Sequence, residues 1–149
     1  MILRFNFILV FLIWMPFNWA YAVPKSAKIS SEPIYYYGST LTTLTGVIKT
    51  VTYPGPPNYE SIKAGDQAEP EYILFLDHPI SVLPKPGSHG DFEDPYRNVR
   101  QLELVTISDS GVHVIERKRV RVQGTFFSRH TGHHHTNVLM EVKAIEAIQ

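Results

Sequence analysis

Apolar residues recur at every second position through most of this chain, in short runs separated by proline- and glycine-rich breaks. In LTTLTGVIKTV, residues 41–51, Leu44, Gly46 and Ile48 share one face, the period of two that a half-buried strand requires. YILFLDHPISV, 72–82, predicts a second strand that closes at Pro79 or shortly after. VRQLELVTI, 99–107, sets Leu102 and Leu104 against Gln101 and Glu103 as a third. RVRVQGTFF, 119–127, has Val120, Val122 and Phe126 inward and Arg119, Arg121 and Gln123 outward. NVLMEVKAIEAI, 137–148, places Val138, Met140 and Val142 opposite Glu141 and Lys143 as a fifth. Gly46 and Gly124 mark bends in the first and fourth strands.

Between the third and fourth strands, SDSGVHVIERK (108–118) offers Ser108 or Asp109 as an N-cap and Val112 and Ile115 at helical spacing. Gly111 and the β-branched residues limit it to one or two turns. Five strands with a short helical element after the third is the order of the OB-fold, a small, partly open Greek-key barrel. The expected fold is therefore all-β, a small five-stranded OB-like barrel with one short helical element over residues 41–149. An SH3-like barrel or a small open sheet fits the same pattern.

The chain opens with MILRFNFILVFLIWMPFNWAYA, in which Arg4 precedes an apolar run from Phe7 to Phe17 and then Ala20-Tyr21-Ala22. This is the tripartite pattern of a signal peptide over residues 1–22 with cleavage before Val23. The run is interrupted at Pro16 and is short for a span needing about 20 residues, so no stable membrane insertion is expected after cleavage. Periplasmic or secreted localisation follows. Residues 23–40, polar and proline-bearing and then aromatic, read as a flexible N-terminal segment.

Composition changes the picture in two ways. The full chain is formally neutral, and losing Arg4 with the leader leaves a charge of −1. Nothing in that balance steers it to nucleic acid. Cysteine is absent from the sequence. That removes disulfides, thiol redox chemistry and Cys-ligated zinc, so an exported domain of this size must be held by its core.

Two unusual segments carry the candidate chemistry. TYPGPPNYESIKAGDQAEPE (52–71) joins the first two predicted strands, and RHTGHHHT (129–136) joins the last two. In an OB-like barrel these connections flank one face, where such folds bind ligands, so Tyr59 and His134 are expected to be near neighbours. Tyr53, Asn58, Tyr59, Glu60, Asp66 and His134 are the candidate ligand-binding residues, an aromatic and amide surface suited to a glycan or peptide. The same loop also reads structurally, with Pro56 and Pro57 stiffening it and Asn58 capping a turn. His133 and His135 should point one way and His134 the other. His133 and His135, with His130 or one of Glu60, Asp66 and Glu69 as third donor, form a candidate metal set for which zinc or copper is the fitting ion. Imidazoles that merely brace the loop are the competing reading. No catalytic residue is assigned: Ser61, a histidine and Asp66 do not make a nucleophile elbow, and the carboxylates of DFEDP are solvated.

PGPPNYESIKAGD, YILFLDHPI and TGHHHTNVL are similar to segments of a family of small exported bacterial proteins grouped as a domain of unknown function. The resemblance extends from about Leu41 to Val142 and implies no activity; it departs at Asn137, where proline is expected. The functional expectation is an exported, non-enzymatic binding module whose small polar ligand or exported protein partner meets the face between the two loops. The alternative is a histidine-based divalent-metal-binding protein or metal-dependent hydrolase.

Overall fold

The computed structural model describes residues 32–88, 93–105 and 115–149. The expected signal peptide, the start of the 23–40 segment and most of the helix expected over 108–118 lie outside the described residues. Six strands make one sheet: β1 (Ile34–Tyr36), β2 (Gly38–Pro54), β3 (Ala68–Leu83), β4 (Tyr96–Val105), β5 (Arg119–Ser128) and β6 (Val138–Ala147). Their order is β1-β3-β2-β5-β6-β4, with a further pairing between β3 and β4. The β4–β6 and β1–β3 pairings are parallel and the rest antiparallel.

The sixth strand corrects the expected count of five. Residues 34–40, part of the segment expected to be flexible, belong to the sheet. β1 pairs along β3, Tyr35 packs its ring on Phe126 at 5.6 Å, and Tyr37 is 1% exposed with its hydroxyl donating to the Asp94 carbonyl at 3.1 Å. The physical reason is the aromatic content of this stretch: large rings bury enough area to offset the entropy of ordering a terminal segment. A 3-10 turn, Ile62–Ala64, lies inside the first long loop, and Ile115, within the stretch expected to be helical, is α-helical.

The predicted alternation is what builds the core. Leu44 and Ile48 of β2, Leu74 of β3, Leu102 and Leu104 of β4, Val120, Val122 and Phe126 of β5, and Val138, Met140 and Val142 of β6 form one buried cluster. Each such side chain contributes roughly 1.5–3 kcal/mol on full burial. Gly46 is where β2 lies against both β3 and β5; a Cβ there would collide with the Phe75 carbonyl, so this glycine supplies room for close strand approach.

The strands do not close as a regular barrel. Register shifts interrupt β2–β5 between Gly38 and Thr42, β3–β4 on either side of Ile80, and β5–β6 between Gln123 and Gly124. β3 runs from Ala68 to Leu83, so the strand expected over 72–82 starts earlier and continues four residues past Pro79. The missing N–H of Pro79 falls in the stretch between Phe75 and Ile80 where the β3–β4 ladder is already broken, which is where a strand tolerates proline.

Ile73 and Leu139 are both fully buried yet stand outside the main core cluster. Alternation turns them to the opposite face from Leu74 and Met140. Glu103, registered against both of them, is 2% exposed on that same outer face. The outer surface of β3, β4 and β6 is thus covered, and the histidine loop takes part in covering it.

Candidate functional site

The proline-rich loop is tied to itself before it touches anything else. Asp66, 6% exposed, accepts N–H groups from Asn58 at 2.9 Å and from Glu60 and Ser61 at 2.8 Å each, and the Asn58 amide at 3.1 Å. These donors, those of Ser61, Asn58 and Glu60 in turn, hold its carboxyl below the usual aspartate range against the opposing effect of burial. Gly55 and Gln67 extend the β2–β3 ladder by one more hydrogen bond, N–H to carbonyl, at 2.7 Å. The clamp leaves Tyr59 in a left-handed conformation, φ 60°, with its ring projecting toward the histidine loop.

There the two segments meet. The Tyr59 and His133 rings stand edge to face at 5.8 Å, and the Tyr59 hydroxyl is 3.5 Å from His133 Nε2. His133 Nδ1 donates to Glu69 Oε1 at 2.7 Å, and His135 Nε2 donates to Glu69 Oε2 at 3.0 Å. Tyr53 stacks flat on His135 with ring centroids 4.5 Å apart. Two glycines make this contact possible. A Cβ on Gly55 would lie 2.5 Å from the Glu69 carboxyl carbon, and one on Gly132 would lie 2.9 Å from Tyr59 Cζ.

Strand register explains why these groups converge. Tyr53 on β2 is directly paired with Glu69 on β3, so their side chains share a face. Glu71, two residues on, shares it as well. Glu103 approaches from β4, accepting the His135 backbone N–H at 2.8 Å, while its own N–H donates to Thr136 Oγ1 at 3.0 Å. One donor atom each from Glu69, Glu71 and His135 lie within 4.8 Å of one another, an arrangement able to hold a metal ion.

The crowding of carboxylates has electrostatic consequences. Burial raises the Glu103 carboxyl above the ordinary glutamate range, against the His135 N–H and imidazole, which lower it. Burial, then the neighbouring Glu103, raises Glu71. Burial, Glu103 and Glu71 together raise the Tyr53 phenol. Glu69 departs the other way. Burial pushes it up, but hydrogen bonds from His135 and His133 outweigh that and leave it lowered.

The sequence-predicted residues therefore divide into groups. Tyr53, Tyr59, His133 and His135 come together. Asn58, Glu60 and Asp66 stand behind them in the loop clamp, where both Asp66 oxygens are taken by the loop's own donors. His134 turns the other way, as expected, although the backbone of the loop is not strand. It stands against Phe127 at 5.5 Å and His130 at 4.5 Å, and burial followed by the charge of His130 lowers its pKa. His130 donates Nδ1–H to the Ser128 carbonyl at 3.0 Å and lies with His134 rather than with His133 and His135. That pair borders a separate open depression of about 730 Å3, lined also by Phe127, Thr125 and Glu141. Tyr59 accordingly meets His133, the histidine beside the expected His134.

Sequence reasoning missed Glu71 and Glu103. Glu71 follows from period two once Glu69 is placed on β3. Glu103 gave no signal, because an acidic residue opposite two leucines reads as an ordinary solvent-facing position.

A family model described as a domain of unknown function, DUF4431, matches residues 103–146. The match runs from the end of β4 through the histidine loop to β6 and does not reach the proline-rich loop. No curated protein and no solved structure matches the chain.

Proposed function

We propose that this chain is an exported, periplasmic or secreted, non-enzymatic binding module, and that its ligand or protein partner meets the face where the proline-rich and histidine loops join. The observation that carries the reading is the junction itself. Tyr59 is 38% exposed and the His133 side chain 60% exposed, held beside the stacked Tyr53–His135 pair. Aromatic and imidazole groups offering both flat faces and hydrogen-bonding edges suit a small polar ligand such as a glycan or a peptide.

An OB-like framework is part of the proposal. Pairings β2–β3, β3–β4, β4–β6, β6–β5 and β5–β2 link the five long strands in a ring, the order of the OB-fold, in which the loops after the first and fourth strands flank the ligand face. β1 is then an added edge strand. The parallel β4–β6 pairing supports this assignment.

The test is a panel of oligosaccharides and short peptides titrated into isotope-labelled protein and followed by NMR. Shifts are expected to cluster at Tyr53, Asn58, Tyr59 and His133. Shifts confined to the depression beside Phe127 and His134 would reject the proposed face.

A further inference from the structure

We propose that Glu69, Glu71 and His135 form a site for one divalent ion of the zinc class, with His133 beside it as a further donor. The inference uses the same junction as the binding face, but it does not require that face to have a ligand.

Its basis is an imbalance among the carboxylates. Glu69 accepts from two imidazoles, Asp66 from the loop N–H groups, and Glu103 from the His135 N–H. Glu71 is half-buried beside Glu69 and Glu103, and among the described residues no donor reaches its carboxylate. An ionised carboxylate is an acceptor only, and a half-buried one without a donor is stabilised by a proton or by a cation. Three carboxylates converging on two imidazoles favour the cation.

The donor set and its support both fit. Oxygen and imidazole ligands without thiolate suit zinc and its neighbours. Zinc–ligand bonds of about 2.0–2.2 Å place two donors on one ion roughly 3.2–3.6 Å apart. Glu69 Oε2 and His135 Nε2 are already 3.0 Å apart, and Glu71 lies within the 4.8 Å of the group, so a side-chain rotation completes the set. Glu69 and Glu71 project from one strand. The His135 side chain is 8% exposed, stacked on Tyr53, with its backbone N–H held by Glu103. Such outer contacts orient a metal-binding imidazole. On binding, the ion takes the Nε2 position that now donates to Glu69; a neutral His135 keeps its single proton on Nδ1, and an imidazolium gives one proton up to solvent. His130, which the sequence pattern had grouped with His133 and His135, is not among the donors.

The experiment is a zinc titration of tag-free, chelator-treated protein against a chromophoric competitor. One ion per chain is expected, with affinity lowered in Glu71→Gln and Glu69→Gln by at least the roughly 10-fold that loss of an outer partner of a metal ligand costs, and unchanged in His130→Ala. Metal-free Glu71→Gln should melt at or above the wild type, because the amide removes a charge that no donor satisfies. Zinc should then raise the melting temperature of the wild type more than that of Glu71→Gln at the same zinc concentration. No saturable zinc binding to the folded wild type, or equal affinity in Glu71→Gln, overturns the inference. Absence of zinc binding together with ligand-induced shifts at Tyr59 overturns it while leaving the binding face standing.

Discussion

Tyr53 lies flat against His135, with ring centroids 4.5 Å apart and planes 4° from parallel. The pair comes from opposite ends of the folded chain's sequence, and it fixes the orientation of the one histidine that faces Glu69 and is also held through its backbone by Glu103.

Replacing Tyr53 with Leu keeps apolar volume but removes the stacked partner. Aromatic pairs contribute about 0.5–1.5 kcal/mol beyond the area they bury, so Tyr53→Leu should lower unfolding free energy by an amount in that range. Urea denaturation measures it, and a stability equal to wild type would show that the stack contributes nothing.

The close approaches at the two glycines give a graded prediction. Gly55→Ala forces the Glu69 carboxylate off both imidazoles and should cost about 1–3 kcal/mol, as overpacking does. Gly132→Ala meets only the partly exposed Tyr59 ring, which can swing outward, so its cost should be smaller. Chemical denaturation of the two variants side by side checks the order.

Tyr59 and His133 should be energetically coupled. Residues in direct contact show interaction energies of about 0.5–3 kcal/mol, and the exposure of this pair places it at the low end. A double-mutant cycle with Tyr59→Ala and His133→Ala reads the coupling directly; strict additivity would mean the loops touch without influencing one another.

Acid should loosen the proline-rich loop. Asp66 has its folded-state pKa lowered by the loop N–H groups, and Asp77 has its own lowered by the Arg119 guanidinium. A depressed carboxyl contributes stability that is fully present above the unfolded value of about 3.9 and is lost as pH falls through the lower folded value. Stability should therefore drop below about pH 4, and the drop should be shallower in Asp66→Asn than in wild type when denaturation is measured across that range.

The N-terminal segment makes a prediction of a different kind. If residues 1–22 are a cleaved leader, protein recovered from the cell envelope or medium begins at Val23. Intact mass decides this, and retention of Met1 would contradict it.

Period-two patterning was enough to place the five long strands and the inward residues of four of them, because a strand with one buried face cannot shift register by one without exposing its apolar set. It also located the two unusual loops and the opposed directions of His134 and its neighbours. It did not reveal β1, whose aromatic residues earn their place only once β3 and Phe126 are there to pack against. Nor did it fix how far the second strand runs beyond Pro79, since that depends on where the partner ladder is broken.

For the site, residue type and spacing determined which groups were chemically capable: two tyrosines, a run of imidazoles and several carboxylates in flexible-looking connections. Which of them meet was decided by tertiary structure alone. Register across β2 and β3 pairs Tyr53 with Glu69, the Asp66 clamp aims Tyr59, and the return of the chain over β4 buries Glu103 beneath the histidine loop. These contacts join residues far apart in sequence, and no local pattern encodes a distance that only the folding of the sheet brings about.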